Sequence, residues 1–166
     1  MRCTHNVSLK LAMKRKARQR VSIAGLAGGF ALLLAMPASA LEFRSVKQHG
    51  SILYDAPASS AKKLFVVSRG YPVEVLAEQN GWSRIRDASG GIAWIATPDL
   101  LKQRTVVVTS EQAEVRQAPQ ATAPLLFIVA KDGVLELIEP PKGGWVKVKH
   151  RDGVSGYARI QFFWGL

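Results

Sequence analysis

The chain has 166 residues, of which 23 are Lys or Arg and 12 are Asp or Glu, giving a formal net charge of +11. Seven of the basic residues lie within the first 20 positions, so the excess charge does not indicate a nucleic-acid-binding surface. A single cysteine, Cys3, excludes an intramolecular disulfide.

The first 40 residues have the pattern of a secretory signal peptide. The basic region is followed by an apolar stretch of about 16 residues, Val21 to Met36, and by small residues at Ala38 and Ala40. This stretch is shorter than the roughly 20 residues that span a bilayer, so we expect cleavage near Ala40 rather than a membrane anchor. The protein is then expected to be periplasmic or secreted without a stable membrane span. Both Met1 and Met13 are candidate starts.

Cleavage would change both the charge and the cysteine content. Removing seven of the 23 basic residues leaves 16 against 12 acidic ones, a net charge of +4 that predicts no nucleic-acid partner. Cys3 would also be removed, which excludes a thiolate metal site and a cysteine nucleophile.

Residues 41–102 are predicted to form a first small β unit. Val73 and Val75 alternate with Glu74, which is the period of a half-buried strand. Turn residues at Asn80-Gly81 and at Ser89-Gly90-Gly91 enclose a further strand and predict two successive hairpins. The sequence after residue 40 shows no sustained helical period.

Residues 103–166 repeat the first unit. The offset is 62 residues and becomes 63 after one extra residue in the turn at Glu139–Gly143, as duplication of a β unit would leave it. The matching runs are Leu64–Val67 with Leu126–Val129, Val73–Leu76 with Leu135–Ile138, and Gly81–Arg86 with Gly144–Lys149. The joint at Lys102–Arg104 is so short that we expect the two units to pack together.

Several short strands with tight turns in each unit predict a small closed barrel rather than an open sheet. The order of motifs resembles that of bacterial SH3 domains. The matching segments are Gly81–Ile85 and Gly90–Ile95 in the first copy, and Arg116–Pro119, Gly144–Val148 and Gly153–Tyr157 in the second. The resemblance implies an all-β fold of two tandem SH3-like β-barrels. It also implies a non-catalytic binding module of the cell envelope, with peptidoglycan peptide or an envelope protein as partner.

The copies depart from the family pattern at three positions. Tyr54 replaces an arginine, Ala93 replaces a glycine, and Tyr157 replaces a tryptophan. These departures leave open whether both copies bind the same ligand.

Strand alternation predicts which side chains face a ligand. If Ile85 and Val148 point into the two barrels, one Trp and two cations of each copy lie on the opposite face. These candidate ligand-binding residues are Trp82, Arg84 and Arg86 in the first copy, and Trp145, Lys147 and Lys149 in the second. Tyr54 and Tyr71 are further candidates in the first copy. The alternative is that both Trp side chains seal the barrel cores.

No catalytic, metal-binding or cofactor-binding residue is predicted. His49 and His150 are isolated, without a cysteine or a spaced carboxylate cluster, and the glycines lie in hairpins rather than in a phosphate loop. The alternative to a ligand-binding module is a structural adaptor whose packed barrels dock onto a partner protein.

Overall fold

The computed structural model describes residues 41–166, and the predicted signal peptide lies outside the described residues. Within this range the chain forms 14 β-strands and two short 3₁₀ turns. No helix in residues 41–166 has the length and apolar character needed to cross a membrane.

The first seven strands form one antiparallel sheet, called barrel 1 below. Its strands are β1 (Glu42–Val46), β2 (Ser51–Tyr54), β3 (Lys63–Val67), β4 (Pro72–Gln79), β5 (Trp82–Arg86), β6 (Ile92–Ala96) and β7 (Leu100–Leu101). A 3₁₀ turn, Thr97–Asp99, separates β6 from β7. The neighbours in the sheet follow the order β3-β2-β6-β5-β4-β1-β7.

The second seven strands, called barrel 2, repeat this arrangement. They are β8 (Thr105–Val108), β9 (Gln112–Arg116), β10 (Leu125–Ala130), β11 (Val134–Lys142), β12 (Trp145–Lys149), β13 (Ser155–Arg159) and β14 (Phe163–Trp164). The 3₁₀ turn Ile160–Phe162 occupies the place of the first one. The order β10-β9-β13-β12-β11-β8-β14 matches that of barrel 1 strand for strand, as the sequence repeat predicts.

Each sheet curls around its own core. In barrel 1, Leu64 and Val67 of β3 pack against the same buried cluster as Leu100 of β7, although these strands lie at opposite ends of the sheet. The sheet must therefore bend round the cluster, which confirms the predicted SH3-like barrel. The corresponding cluster of barrel 2 includes Val115 and Phe163.

The predicted hairpin turns are present. Asn80 and Gly81 have φ values of 50° and 79°, and Gly143 and Gly144 have values of 57° and 81°. Two successive residues with positive φ form the tight turn that suits the twist of antiparallel strands, so these sequences place β5 and β12 directly after β4 and β11.

The two barrels pack against each other through the start and the end of barrel 2. All four residues of β8 are buried, although only Val106 and Val108 belong to the core cluster of barrel 2. The Thr105 hydroxyl, on the opposite face of β8, donates a hydrogen bond of 2.6 Å to the carbonyl oxygen of Gly70 in barrel 1. Burial of both faces explains why Thr105 is followed by three consecutive valines, Val106, Val107 and Val108.

An aromatic contact joins the ends of the described chain. The ring of Phe43 in β1 meets the ring of Trp164 in β14 edge-to-face, with centroids 5.1 Å apart. The guanidinium of Arg104 lies 5.3 Å from the Phe43 ring centroid and donates a hydrogen bond of 3.0 Å to the carbonyl oxygen of Gly165. The Phe43–Trp164 contact and Arg104, which lies between β7 and β8, therefore hold the barrels together as a packed pair.

Candidate functional site

The outer face of β5 carries the side chains that the alternation predicts. Ser83 and Ile85 are fully buried, whereas Trp82 is half-buried and Arg84 and Arg86 are exposed. The core residues thus fix the direction of the other three, which point away from barrel 1.

Two further aromatic side chains complete this face. Tyr54 of β2 meets Trp82 edge-to-face with ring centroids 5.3 Å apart. Trp94 of β6 lies opposite Tyr54 on one side and opposite Arg84 on the other in the strand register. Tyr54, Trp82, Arg84 and Trp94 form patch 1, in which three rings lie beside one cation.

Only one of the four predicted cations lacks a carboxylate partner in the part of the chain that the structure describes. Arg84 makes neither an ion pair nor a side-chain hydrogen bond there, whereas Arg86, Lys147 and Lys149 are each paired within their own barrel. Their partners are Glu74 at 2.9 Å, Glu139 at 2.7 Å and Glu136 at 2.7 Å, respectively. Acidic residues of β4 and β11 lie across from the three paired cations in the strand register, so internal ion pairs partly neutralise the predicted faces.

The equivalent face of barrel 2 bears Arg116, Trp145, Lys147 and Tyr157, called patch 2. The ammonium of Lys147 lies 5.6 Å from the centroid of the Tyr157 ring. The guanidinium of Arg116 donates a hydrogen bond of 2.8 Å to the carbonyl oxygen of Ala123 and also pairs with a neighbouring carboxylate, that of Glu114. The polar groups of patch 2 are therefore largely satisfied within the barrel.

Trp145 differs from the displayed indole that the sequence suggested. It is only 8 % exposed, and the guanidinium of Arg159 stacks 4.2 Å from its ring centroid. Arg159 covers the ring because it lies directly across from Trp145 in β13, whereas Ala96 occupies that position across from Trp82. Trp145 thus fits the core-sealing alternative, while Trp82 keeps part of its ring in solvent.

A groove of about 470 Å³ runs beside patch 2. This volume is within the range of small-ligand sites. The residues that line it are Pro119, Glu139, Pro140, Lys142, Gly143, Trp145, Lys147 and Tyr157. Neither proline is among the predicted site residues, although Pro119 ends the Arg116–Pro119 motif and Pro140 lies in the segment Glu139–Gly143, which contains the extra residue of the second copy.

Tyr71 lies apart from patch 1. It lines a separate cleft of about 460 Å³ that includes Asp132 and Val134 of barrel 2. Its hydroxyl oxygen accepts a hydrogen bond of 3.3 Å from the backbone N–H of Ala88. Burial raises the pKa of the Tyr71 phenol above its ordinary value, and two nearby carboxylates act in the same direction.

The ion pairs of barrel 2 also shift the pKa values of two of its surface groups, Glu136 and Lys147. The hydrogen bond from Lys149 lowers the pKa of Glu136, and the hydrogen bond to Glu139 raises the pKa of Lys147. The lowered pKa of Glu136 and the raised pKa of Lys147 both favour the charged form of these two groups. Across residues 41–166, no three acidic or His side chains converge in the way that a metal ion requires.

Comparison with known protein families agrees with the geometry. A family profile described as a bacterial SH3 domain matches residues 50–100, and a second profile with the same description matches residues 109–165. The chain therefore belongs to the bacterial SH3 domain family and carries two such domains in tandem. Bacterial SH3 domains are binding modules. No curated protein matches the chain in sequence.

The chain is also similar to solved structures of larger proteins. It is 15 % identical to NlpC2 from Trichomonas vaginalis, covering 75 % of this chain and 48 % of that one, with a TM-score of 0.33. It is 14 % identical to an NlpC/P60 family protein from Bacillus cereus ATCC 10987, covering 74 % and 55 % of the two chains, with a TM-score of 0.35. The chain spans about half the length of these structures, and similarity this low carries no inference about function.

Proposed function

We propose that this member of the bacterial SH3 family is a non-catalytic binding module of the cell envelope, periplasmic or secreted. Its ligand is a peptide that bears a carboxylate, supplied by peptidoglycan or by an envelope protein. The observation that carries the proposal is patch 1, where Arg84 has no partner within residues 41–166 and lies in register with an aromatic side chain.

The chemistry of patch 1 suits such a peptide. The half-buried rings of Tyr54, Trp82 and Trp94 offer apolar contact at low conformational cost, because aromatic side chains have few rotatable bonds. Arg84 supplies a charged donor that matches a carboxylate in two parallel hydrogen bonds. Since Arg84 is not already paired, ligand binding does not first break an internal ion pair.

Patch 2 is the weaker candidate for the same ligand. Lys147 is held by Glu139 at 2.7 Å, and the Trp145 ring is covered by Arg159. A carboxylate ligand would have to displace these contacts. We therefore assign the primary binding role to barrel 1 and a supporting or structural role to barrel 2.

Cosedimentation with isolated peptidoglycan sacculi tests this proposal. Reversing the charge of patch 1 with Arg84→Glu should lower the bound fraction about tenfold, the loss expected when one charge-assisted contact becomes a repulsion. Lys102→Glu is the matched control, because it makes the same charge change at an exposed residue between β7 and β8. Trp82→Ala should weaken binding in a protein that stays folded.

One result would contradict the assignment to patch 1, and a second would exclude one of the two ligand sources. Equal losses for the Arg84 and Lys102 variants would show that only net charge matters. Retention of all the protein in the supernatant would exclude peptidoglycan and leave an envelope protein as the ligand source, which capture from envelope extracts on the same pair of variants would test.

A structural adaptor is the second candidate. It is favoured by the packing of the barrels into one unit and by apolar side chains exposed on the edge strand β10, namely Leu125, Leu126 and Ile128 at 46 %, 42 % and 50 %. An adaptor would lose its partner when Ile128 is replaced by Ser but not when Arg84 is replaced by Glu. The ligand-binding module predicts the reverse.

A further inference from the structure

The cleft that contains Tyr71 combines apolar walls with negative charge. Its ten lining residues come from β2, from β3 and the loop after it, from the turn after β5, and from the first residue of β11 and the turn before it. They are Leu53, Phe65, Val66, Val67, Ser68, Tyr71, Asp87, Ser89, Asp132 and Val134. Barrel 1 thus supplies most of the cleft, and barrel 2 completes it with Asp132 and Val134.

One wall of the cleft is an unusually exposed part of an edge strand. Phe65 and Val66 of β3 are 62 % and 71 % exposed, although both are large and apolar. β3 ends the strand order of barrel 1, so no described strand pairs with its outer backbone. An extended polypeptide can add to such an edge through backbone hydrogen bonds.

The charged side chains that line the cleft are both acidic. One carboxylate oxygen of Asp87, Oδ1, accepts hydrogen bonds from the N–H groups of Ser89 and Gly91 and from the Ser89 hydroxyl, whereas Oδ2 accepts none from residues 41–166. The carboxylate of Asp132 has no hydrogen bond or ion pair in the same range; only its backbone N–H is bonded, and the neighbouring Lys131 pairs with Glu111. The cleft therefore offers acceptor oxygens that its own residues leave unused.

The position of Asp132 is fixed by its backbone. Its φ of 65° places it in a tight turn, and its N–H donates a hydrogen bond of 2.9 Å to the carbonyl oxygen of Val108. Lys131 and Arg69 flank the cleft without lining it, and the Lys131 ammonium lies 3.9 Å from Glu111 instead. The negative charge of the cleft is therefore not neutralised from within its walls.

We infer that this cleft docks an extended segment of a partner protein in which a Lys or Arg side chain stands beside a bulky apolar side chain. The cation reaches the carboxylates of Asp87 and Asp132, and the apolar side chain packs against Phe65, Val66 and Val134. Charge complementarity selects a basic segment, and the free edge of β3 selects an extended one. The site is separate from patch 1 and does not depend on its ligand.

NMR titration of the ¹⁵N-labelled protein, purified after expression of the full chain, tests the inference. The probe is the blocked tripeptide acetyl-Leu-Lys-Leu-amide, compared with its Leu-Glu-Leu and Gly-Lys-Gly counterparts. We expect amide shifts at Val66–Ser68 and at Asp132–Val134, with millimolar affinity for so short a peptide. Both counterparts should bind more weakly, the first for lack of the cation and the second for lack of the apolar side chains.

The variant Asp132→Asn removes the charge and keeps the turn, because Asn tolerates a positive φ. We expect it to weaken binding of the Leu-Lys-Leu peptide about tenfold, as the loss of one charge-assisted contact would. Asp55→Asn is the matched control, since it makes the same change at an exposed residue outside the cleft, and an Asn oxygen can still accept the hydrogen bond from the Lys62 N–H.

Several outcomes would overturn the inference. These are shifts confined to patch 1, equal binding of the Leu-Glu-Leu peptide, and unchanged affinity in the Asp132 variant. If the amide signals of Phe65 and Val66 shift with protein concentration in the absence of peptide, the occupant of the cleft is a second copy of the chain. This result would also contradict the inference that a basic segment of a partner protein binds there. None of these results bears on the sacculus experiment, which reports on Arg84.

Discussion

The two tryptophans of the repeated Gly-Trp motif should differ in their contribution to stability. Trp145 is 8 % exposed and lies under the Arg159 guanidinium at 4.2 Å. Truncation of a buried Trp to Ala costs about 3–5 kcal/mol, and loss of the stacked cation adds about 0.5–1 kcal/mol. We therefore expect Trp145→Ala to lower the free energy of unfolding by about 4 kcal/mol, a large part of the stability of a small domain.

Trp82→Ala should have a much smaller effect. The Trp82 ring is half-buried, and its edge-to-face partner is Tyr54 at a centroid distance of 5.3 Å. Loss of this contact and of part of the buried area corresponds to about 1–2 kcal/mol. The difference between the two variants, rather than either value alone, measures the asymmetry between the barrels.

Equilibrium unfolding in urea, followed by circular dichroism, provides the measurement. With a typical denaturant slope for a small protein, the midpoint of Trp145→Ala should fall by about 2 M urea and that of Trp82→Ala by less than about 1 M. Spectra without urea establish that both variants start folded. Equal shifts of the two midpoints, or a larger one for Trp82→Ala, would refute the conclusion that the Trp145 ring is covered and the Trp82 ring is partly exposed.

Three further predictions follow from the inter-barrel contact, the ion pairs and the cleft. Gly165→Ala should destabilise the protein more than Gly153→Ala. Both residues have positive φ (105° and 95°), but a Cβ at Gly165 would lie 2.8 Å from a backbone oxygen, whereas one at Gly153 meets nothing. We expect a loss of about 1–2 kcal/mol from the positive φ alone and a further loss from the clash, and equal thermal unfolding of the two variants would contradict this. Lys149→Met should raise the pKa of Glu136 in a ¹³C NMR titration. Because the pKa of Glu136 is lowered in the folded protein, the stabilisation by its ion pair is present above the ordinary carboxyl pKa and is lost as the pH falls through the folded value. The Lys149→Met variant lacks this pair and should therefore lose less stability in acid. An unchanged pKa of Glu136 would count against the ion pair. In an ultraviolet titration, Tyr71 should ionise above the ordinary pKa of a tyrosine, because its phenol is partly buried. The Tyr71→Phe variant should lose this transition, and a titration curve that is the same in both proteins would contradict the burial of Tyr71.

The architecture could be predicted because its signals are local. The turns at Asn80-Gly81 and Gly143-Gly144 fix where chains reverse, and their positive φ values agree with that expectation. Alternation in β5 predicts that Ile85 is buried and Arg84 exposed, as the structure shows. These signals act between residues a few positions apart, so the sequence carries them without knowledge of the fold.

The candidate site could be predicted only in part. Trp82 and Arg84 were recognised from strand alternation, but the three rings of patch 1 come together through pairing of β2, β6 and β5, which are distant in sequence. The sequence names Tyr54 and Tyr71 as candidates of the same copy, yet Tyr71 lies in the cleft that also includes Asp132 and Val134 of barrel 2. Assignment of a side chain to a common site requires the strand order, which alternation alone does not specify.

By itself the sequence determined the repeat, the strands, the turns and the face on which each side chain of β5 and β12 lies. Only the tertiary structure decided what covers those side chains: Arg159 over Trp145, Glu139 beside Lys147, and no partner for Arg84 within residues 41–166. The physical reason is that a strand's own period sets the direction of a side chain, whereas its neighbours are set by register with other strands. The two unequal barrel surfaces arise from these neighbours rather than from the motif that both barrels share.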